Sequence, residues 1–206
     1  MDEAAFLRRL QRPHAVRAAH PGSYRPRIAQ ASYALFQASL ESVGGQSHAV
    51  IPLAGLSEAV SAVMSIGGHR RVVASRAAAA MLGTVAGLEC ASDAGRSAQW
   101  EDVDLAIIAP EMAVCENAAM LLSAASLPER GLPLLAQHVL ALVDLSLLAA
   151  DMHEAYAAMS HGRGGAALPH HLTWISGPSK TADIEQSLVI GAHGCRSMVV
   201  LPFTRL

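Results

Sequence analysis

Short apolar runs alternate with helix-like stretches along most of the chain. The runs that predict buried strands lie at 49–53, 71–75, 104–109, 118–124, 138–146, 171–176 and 197–202. Apolar residues at helical spacing predict helices at 57–68, 150–161 and 180–190, and a short one that ends at Met81. The run at 118–124 is also compatible with an antiparallel hairpin with its neighbour. Strands separated by helical segments are typical of a layered α/β fold with a largely parallel sheet.

The beginning of the chain has a different pattern from the rest. Its first residues are rich in arginine and histidine and predict a short amphipathic helix over Asp2–Leu10, followed by a linker. A second helix is expected over Ile28–Val43, because its apolar residues recur on one face. We therefore assign residues 1–45 to an N-terminal helical extension and linker, and residues 46–206 to one α/β domain.

Composition excludes several classes of protein. Hydrophobic residues make up 52% of the 206 residues and charged residues only 16%, which favours a large core over disorder. The net charge of −2 and the aromatic content of 4% argue against a nucleic-acid partner. The most apolar stretch, residues 132–152, is interrupted by Gln137, His138 and Asp144, so no membrane span is expected.

Cysteine usage and the first residues point to the cytoplasm. The three cysteines, Cys90, Cys115 and Cys195, are odd in number and widely spaced, as free thiols in a reducing compartment are. None forms a CxxC pair, so we expect no iron–sulfur cluster on this chain. The ten histidines show no metal-ligand spacing, and the start of the chain does not resemble a secretory signal.

The stretch WISGPSKTADIEQS, residues 174–187, is the strongest candidate for a binding site. If Leu172–Leu201 forms a strand–helix–strand crossover, its first loop lies at the carboxyl edge of the sheet, where ligands bind. Lys180, the only lysine in the chain, adds a mobile positive charge. Hydroxyls and approachable backbone N–H groups beside the predicted helix favour an anionic ligand, and they belong to Ser176, Gly177, Ser179 and Thr181.

A purely structural role for this loop stays open. Asp183 and Glu185 fall in the first turn of the predicted helix and suit its dipole themselves. Ser179 or Thr181 would then be the helix cap. A nucleotide-binding P-loop is excluded, because the required glycines are replaced by Trp174 and Ser179.

Two further positions are candidates. Glu116 and Asn117 lie between apolar runs, so we expect the carboxyl group to be partly desolvated, with a raised pKa suited to acid–base or nucleophilic work. The alternative is a solvated hairpin tip. His193 follows the predicted helix within a glycine-rich turn, where either a ligand contact or a packing role is compatible with the sequence.

One segment resembles a known family. ISGPSKTADIEQSLVIGAHG, residues 175–194, closely resembles the signature of the lactate-utilisation protein C family, the LUD domain. AVCENAAMLL, residues 113–122, and the stretch at 132–156 are similar to the family's middle section, so the resemblance covers about residues 48–203. It implies one three-layer α/β domain like that of sugar-phosphate isomerases and CoA transferases.

The resemblance also implies a function. It suggests a cytoplasmic accessory subunit of a system that oxidises L-lactate to pyruvate, with no redox centre of its own and iron–sulfur clusters on partner subunits. A small anionic ligand would bind between the loop at 176–183 and Glu116. The alternative is a stand-alone isomerase or acyl/CoA-transferase-like enzyme that uses Glu116. Many members carry E-T-G-T where this chain has residues 116–119, E-N-A-A. Whether the chain forms a homo-oligomer stays open.

Overall fold

The computed structural model describes most of the chain. Its described residues are Asp2, Gly22, Tyr24, 28–91, 100–161, 171–182 and 188–205. Beyond Asp2, the predicted helix over Asp2–Leu10 lies outside these residues. Asp183 and Glu185 of the candidate loop lie outside them as well.

The order of elements is that of an α/β protein. The helices are α1 Tyr33–Ser42, α2 Leu56–Gly67, α3 Arg76–Leu82, α4 Leu132–Leu135 and α5 Met152–His161. The first strands are β1 Gln46–Ser47, β2 Ile51–Pro52, β3 Val72–Ala74, β4 Leu88–Cys90, β5 Leu105–Ile108, β6 Met112–Val114 and β7 Met120–Ser123. The remaining strands are β8 His138–Asp144, β9 Leu148–Ala149, β10 Leu172–Ile175, β11 Lys180–Ala182, β12 Leu188–Ile190 and β13 Ser197–Thr204.

A parallel sheet forms the centre of the molecule. Its strand order is β1-β13-β8-β5-β3-β4, and β2 also pairs with β13. Every one of these pairings is parallel, with Val199 of β13 opposite Leu140 of β8. β3 and β5 are buried along their whole lengths, because layers cover both faces of the sheet. The predicted α/β fold with a largely parallel sheet is confirmed.

Two different layers cover the central sheet. On one face, α2 and α3 bury side chains such as Leu56 and Ala78 against the strands. On the other face lie α1, through Phe36 and Leu40, and a smaller sheet of order β10-β7-β6-β9. α5 covers the outer side of this smaller sheet, where Ala155 packs into a third cluster. The three-layer arrangement expected from the sequence is therefore present.

The C-terminal segment differs from the prediction. β10 pairs antiparallel with β7 in the smaller sheet, so residues 171–176 do not belong to the central sheet. The segment expected to be a helix over 180–190 contains the antiparallel strands β11 and β12, with Thr181 opposite Val189. The predicted crossover over Leu172–Leu201 is therefore wrong. β-Branched residues at facing positions favour this pairing over a helix.

Smaller differences have local causes. α1 begins at Tyr33 rather than Ile28, because the Ser32 hydroxyl caps it by accepting from the Leu35 N–H at 3.3 Å. The strand predicted at 49–53 is confined to Ile51–Pro52, since a 3-10 turn begins at Leu53. The run at 118–124 does form an antiparallel hairpin, and its partner is β6. None of the described helices combines the length and hydropathy that a membrane crossing requires.

Candidate functional site

A cavity of about 420 Å³ opens beside the turn that follows β10. We call it the Gly177 pocket. Its wall is formed by Pro133, Leu134, Thr173, Trp174, Ile175, Ser176, Gly177, Pro178, Ser179, Lys180, His193, Gly194 and Cys195. The smaller sheet, α4 and the turn before β13 therefore all contribute to it. Five of the candidate residues lie together here: Ser176, Gly177, Ser179, Lys180 and His193.

Gly177 fixes the shape of the turn. Its backbone has φ +67°, a conformation that residues with a side chain rarely adopt. A Cβ at this position would lie 2.7 Å from the carbonyl oxygen of Val43, just past the end of α1. The turn is therefore pressed against α1, and only glycine allows this close approach.

Lys180 brings a positive charge to the pocket. Its side chain is exposed, and no carboxylate among the described residues forms an ion pair with it. A Cβ added to Gly44 would lie 3.2 Å from Lys180 Nζ, so the ammonium group lies beside the C-terminus of α1. The carbonyl end of a helix favours a cation. Lys180 thus lies beside the C-terminus of α1, with no neutralising acid among the described residues.

The serines of the pocket differ in what their hydroxyls do. Ser176 Oγ donates to the carbonyl oxygen of Asn117 at 2.6 Å, which fastens the turn to the β6–β7 hairpin. The Ser179 backbone is bonded on both sides, to Cys195 and to Gly191. The Ser179 hydroxyl makes no hydrogen bond to any described residue. It therefore stays available to a ligand in the pocket.

Glu116 lies on the neighbouring hairpin but does not line the pocket. Its side chain is exposed, so the partial desolvation expected from the sequence does not occur. One carboxylate oxygen, Oε2, accepts from the Met152 N–H at 3.2 Å, at the first turn of α5. A carboxylate is favoured at a helix N-terminus. The structure thus gives Glu116 a contact with α5.

The hairpin loop that carries Glu116 contains a strained residue. Ala118 has φ +54° and is the only residue other than glycine with a positive φ in the described ranges. The Asn117 side chain supports the turn, since its Oδ1 accepts from the Ala119 N–H at 3.0 Å. Because an L-residue in this conformation costs about 1–2 kcal/mol, the surrounding contacts hold the loop in place.

Of the remaining candidates in this loop, the structure describes Thr181. Thr181 lies in β11 opposite Val189 and does not line the cavity. Asp183 falls outside the described residues. Because residues 180–182 form a strand, the helix N-terminus expected to begin at this loop is absent. Attraction for an anion at this pocket therefore depends on Lys180 and on individual hydrogen-bond donors.

Two buried thiols lie behind the two loops. Burial raises the pKa of the Cys195 thiol, which lines the Gly177 pocket. Burial also raises the pKa of the Cys115 thiol, whose Sγ donates to the carbonyl oxygen of Ser32 at 3.4 Å. Such protonated thiols are poor nucleophiles.

The apolar side of the pocket was not predictable from the sequence pattern. Pro133 and Leu134 belong to α4, a helix of four residues that the apolar pattern did not separate from the strand after it. The sequence around Thr173 and Cys195 likewise contains no motif that predicts a ligand contact. A proline near a helix start is the one local cue that was present.

Comparisons with known proteins agree with this fold. The family model for the LUD domain matches residues 69–201. Lactate utilization protein C of Shouchella clausii is 34% identical over 96 residues, covering 47% of this chain and 42% of that protein. Lactate utilization protein C of Bacillus velezensis is 32% identical over 95 residues, covering 46% and 39%. The match thus spans about two fifths of each relative's length.

A solved structure shares the architecture. The crystal structure of a DUF162 family protein from Deinococcus radiodurans superposes with a TM-score of 0.61 at 19% sequence identity. The superposition covers 82% of this chain and 94% of the other. At this level of identity the likeness establishes the shared fold.

Proposed function

Because the chain belongs to the LUD domain family, we propose that it acts in lactate utilisation, as an accessory subunit of a cytoplasmic system that oxidises L-lactate to pyruvate. The names of the relatives from Shouchella clausii and Bacillus velezensis support this role. In this proposal the redox chemistry belongs to iron–sulfur partner subunits. This chain contributes a binding site for a small anionic ligand, and that site is the Gly177 pocket.

The observation that carries the binding proposal is the state of Lys180. Lys180 lines the cavity, and its ammonium group forms no ion pair with a described carboxylate. An anion that enters the pocket therefore gains a charge-assisted hydrogen bond without displacing an internal partner. The Ser179 hydroxyl is positioned on the same wall to donate a second bond. Pro133 and Leu134 offer an apolar surface to the carbon skeleton of the ligand.

Isothermal titration calorimetry tests this site directly. The full chain is titrated with lactate, pyruvate, CoA and sugar phosphates, and then the Lys180→Gln variant is titrated with each compound that binds. Loss of one charge-assisted hydrogen bond, about 1.5–3 kcal/mol, should weaken binding by roughly 10- to 100-fold. Arg70→Gln is the matched control, because Arg70 is an exposed cation that does not line the pocket.

Two results contradict the site assignment. One is that none of the four compounds binds the unmodified chain. The other is that Lys180→Gln binds as tightly as the unmodified chain. Binding to the control variant should be unchanged.

The alternative is a stand-alone isomerase or acyl/CoA-transferase-like enzyme that uses Glu116. Such chemistry needs a carboxylate directed at the ligand, whereas Glu116 accepts a hydrogen bond from Met152 and lies outside the pocket wall. The geometry therefore favours the binding role. Turnover by the isolated chain, abolished in a folded Glu116→Gln variant, would reverse this preference.

A further inference from the structure

β12 exposes apolar side chains along its whole length. Leu188, Val189 and Ile190 are 59%, 44% and 52% exposed. Successive side chains of a strand point to opposite faces, so both faces of this strand lie outside the core. Exposed apolar residues are common singly, whereas these three follow one another and leave both faces of the strand apolar.

β12 is also an edge strand. Among the described residues, β11 is its only partner. A hairpin of two strands is marginally stable by itself in water, and a third strand with an apolar face would stabilise it. Unpaired backbone groups along an apolar edge are a template for pairing with another strand.

The register shows which backbone groups are free to pair. The Gly191 N–H donates to the Ser179 carbonyl, so residues 179 and 191 form a hydrogen-bonded pair with a single bond, since the Ser179 N–H donates to Cys195. Such pairs alternate along an antiparallel ladder, and the next one joins Thr181 to Val189. Leu188 and Ile190 therefore direct their N–H and C=O groups away from β11, toward the open edge.

We propose that β12 pairs antiparallel with β12 of a second copy of this chain, about a two-fold axis at Val189. In this register Leu188 of one copy faces Ile190 of the other, and each pair exchanges two backbone hydrogen bonds. The two Val189 residues then face each other in the closely spaced position between bonded pairs, where Cα atoms are about 4.5 Å apart. The two hairpins become one four-stranded sheet.

A second copy fits this edge better than a partner of another kind. Leu188, Val189 and Ile190 carry no charge, so nothing on the strand selects a partner of opposite sign. An uncharged, apolar strand is complementary to itself, and a two-fold axis brings the same patch of both subunits together. The dimer also braces β11, which carries Lys180 on the wall of the Gly177 pocket.

Charge changes at the two-fold axis test this arrangement. The full chain is compared with Val189→Lys and Val189→Glu by light scattering coupled to size exclusion. We expect the unmodified chain to have the mass of two copies. Each variant alone places like charges face to face at the axis and should raise the dimer dissociation constant about tenfold or more. Mixing the two variants should restore the dimer, because opposite charges then meet.

Ile66→Lys is the matched control. Ile66 is 88% exposed on α2, away from the hairpin, so its variant should dimerise like the unmodified chain. Circular dichroism melts verify that all variants are folded. Three results overturn the proposal: a single-chain mass for the unmodified protein, unweakened dimers of both Val189 variants, or no recovery when the folded variants are mixed.

Discussion

The Gly177 turn and the Glu116 hairpin loop are neighbours, yet their polar groups are used in opposite ways. In the Glu116 loop, the carboxylate accepts from Met152 and the Asn117 side chain accepts from Ala119, so both are engaged within the protein. In the Gly177 turn, Lys180 and Ser179 line the cavity, and neither the ammonium group nor the hydroxyl group has a partner among the described residues. The polar groups of the Glu116 loop stabilise that loop, whereas those of the Gly177 turn remain available to a ligand.

The backbone of the two loops differs in a parallel way. Both place a residue in the left-handed region, Gly177 at φ +67° and Ala118 at φ +54°. Gly177 lacks room for a side chain, whereas Ala118 is accommodated and fully buried at 0% exposure. A polar loop is therefore a stronger candidate for a binding site when its charged groups remain without partners inside the protein.

Gly177→Ala should have the largest effect. The added Cβ would meet Val43 at 2.7 Å in a left-handed backbone, and we expect a loss of about 3 kcal/mol in the free energy of unfolding. Gly68→Ala separates the two causes, because Gly68 has φ +61° with nothing within 4 Å of the added atom. Its loss should be about 1 kcal/mol in urea unfolding. Equal losses at both positions would disprove the close approach.

Ala118→Gly should leave the free energy of unfolding nearly unchanged. Glycine relieves the left-handed strain, and this gain offsets the loss of a buried methyl group and the greater entropy of the unfolded chain. Ala136→Gly is the control, since Ala136 is also buried but has φ −65°, so its variant should lose about 1–2 kcal/mol. Urea unfolding of both variants measures the difference. Equal losses at the two positions would contradict the strain in the hairpin loop.

Glu116→Gln should cost about 0.5 kcal/mol, because it removes a negative charge from the N-terminus of α5. Since the carboxylate does not line the Gly177 pocket, ligand binding measured by calorimetry should be unchanged. Weakened ligand binding with unaltered stability would indicate that Glu116 contacts the ligand.

The rates at which the two buried thiols are alkylated test whether the cavity is accessible, without a measurement of stability. Cys195 lines the Gly177 pocket and Cys115 does not, so iodoacetamide should modify Cys195 sooner, as followed by peptide mass spectrometry. Both reactions should be slower than that of a free cysteine at neutral pH, because burial raises both pKa values and lowers the thiolate fraction. A bound ligand should protect only Cys195. Faster modification of Cys115 would be incompatible with an open Gly177 pocket.

Four strands of the central sheet were predictable from local sequence. Strands covered on both faces need mostly apolar residues, and this is what the runs in β3, β5, β8 and β13 show. Each of these four strands was located within one or two residues of its bounds. The two-residue β1 and three-residue β4 were not predicted, because runs this short give a weak pattern, and α4 was not separated from β8.

The C-terminal segment was not predictable in the same way. A short apolar run such as Leu172–Ile175 is compatible with either sheet, and its antiparallel pairing with β7 is decided by contacts about 50 residues apart. Likewise, the hydrogen bonds that distinguish the two loops join residues far apart in sequence. Glu116 and Met152 are 36 residues apart, and Ser176 and Asn117 are 59 apart. The sequence marked the polar residues, and tertiary contacts determine which of them face the cavity.

The position of β13 in the central sheet has a consequence for biosynthesis. This strand lies between β1 and the seven-residue β8, although it follows both in the chain. A nascent chain in which β13 is still inside the ribosome leaves β8 with an apolar, unpaired edge and β1 with no neighbour. Folding of the sheet therefore has to wait for a late and distant segment, which slows it and exposes an aggregation-prone surface.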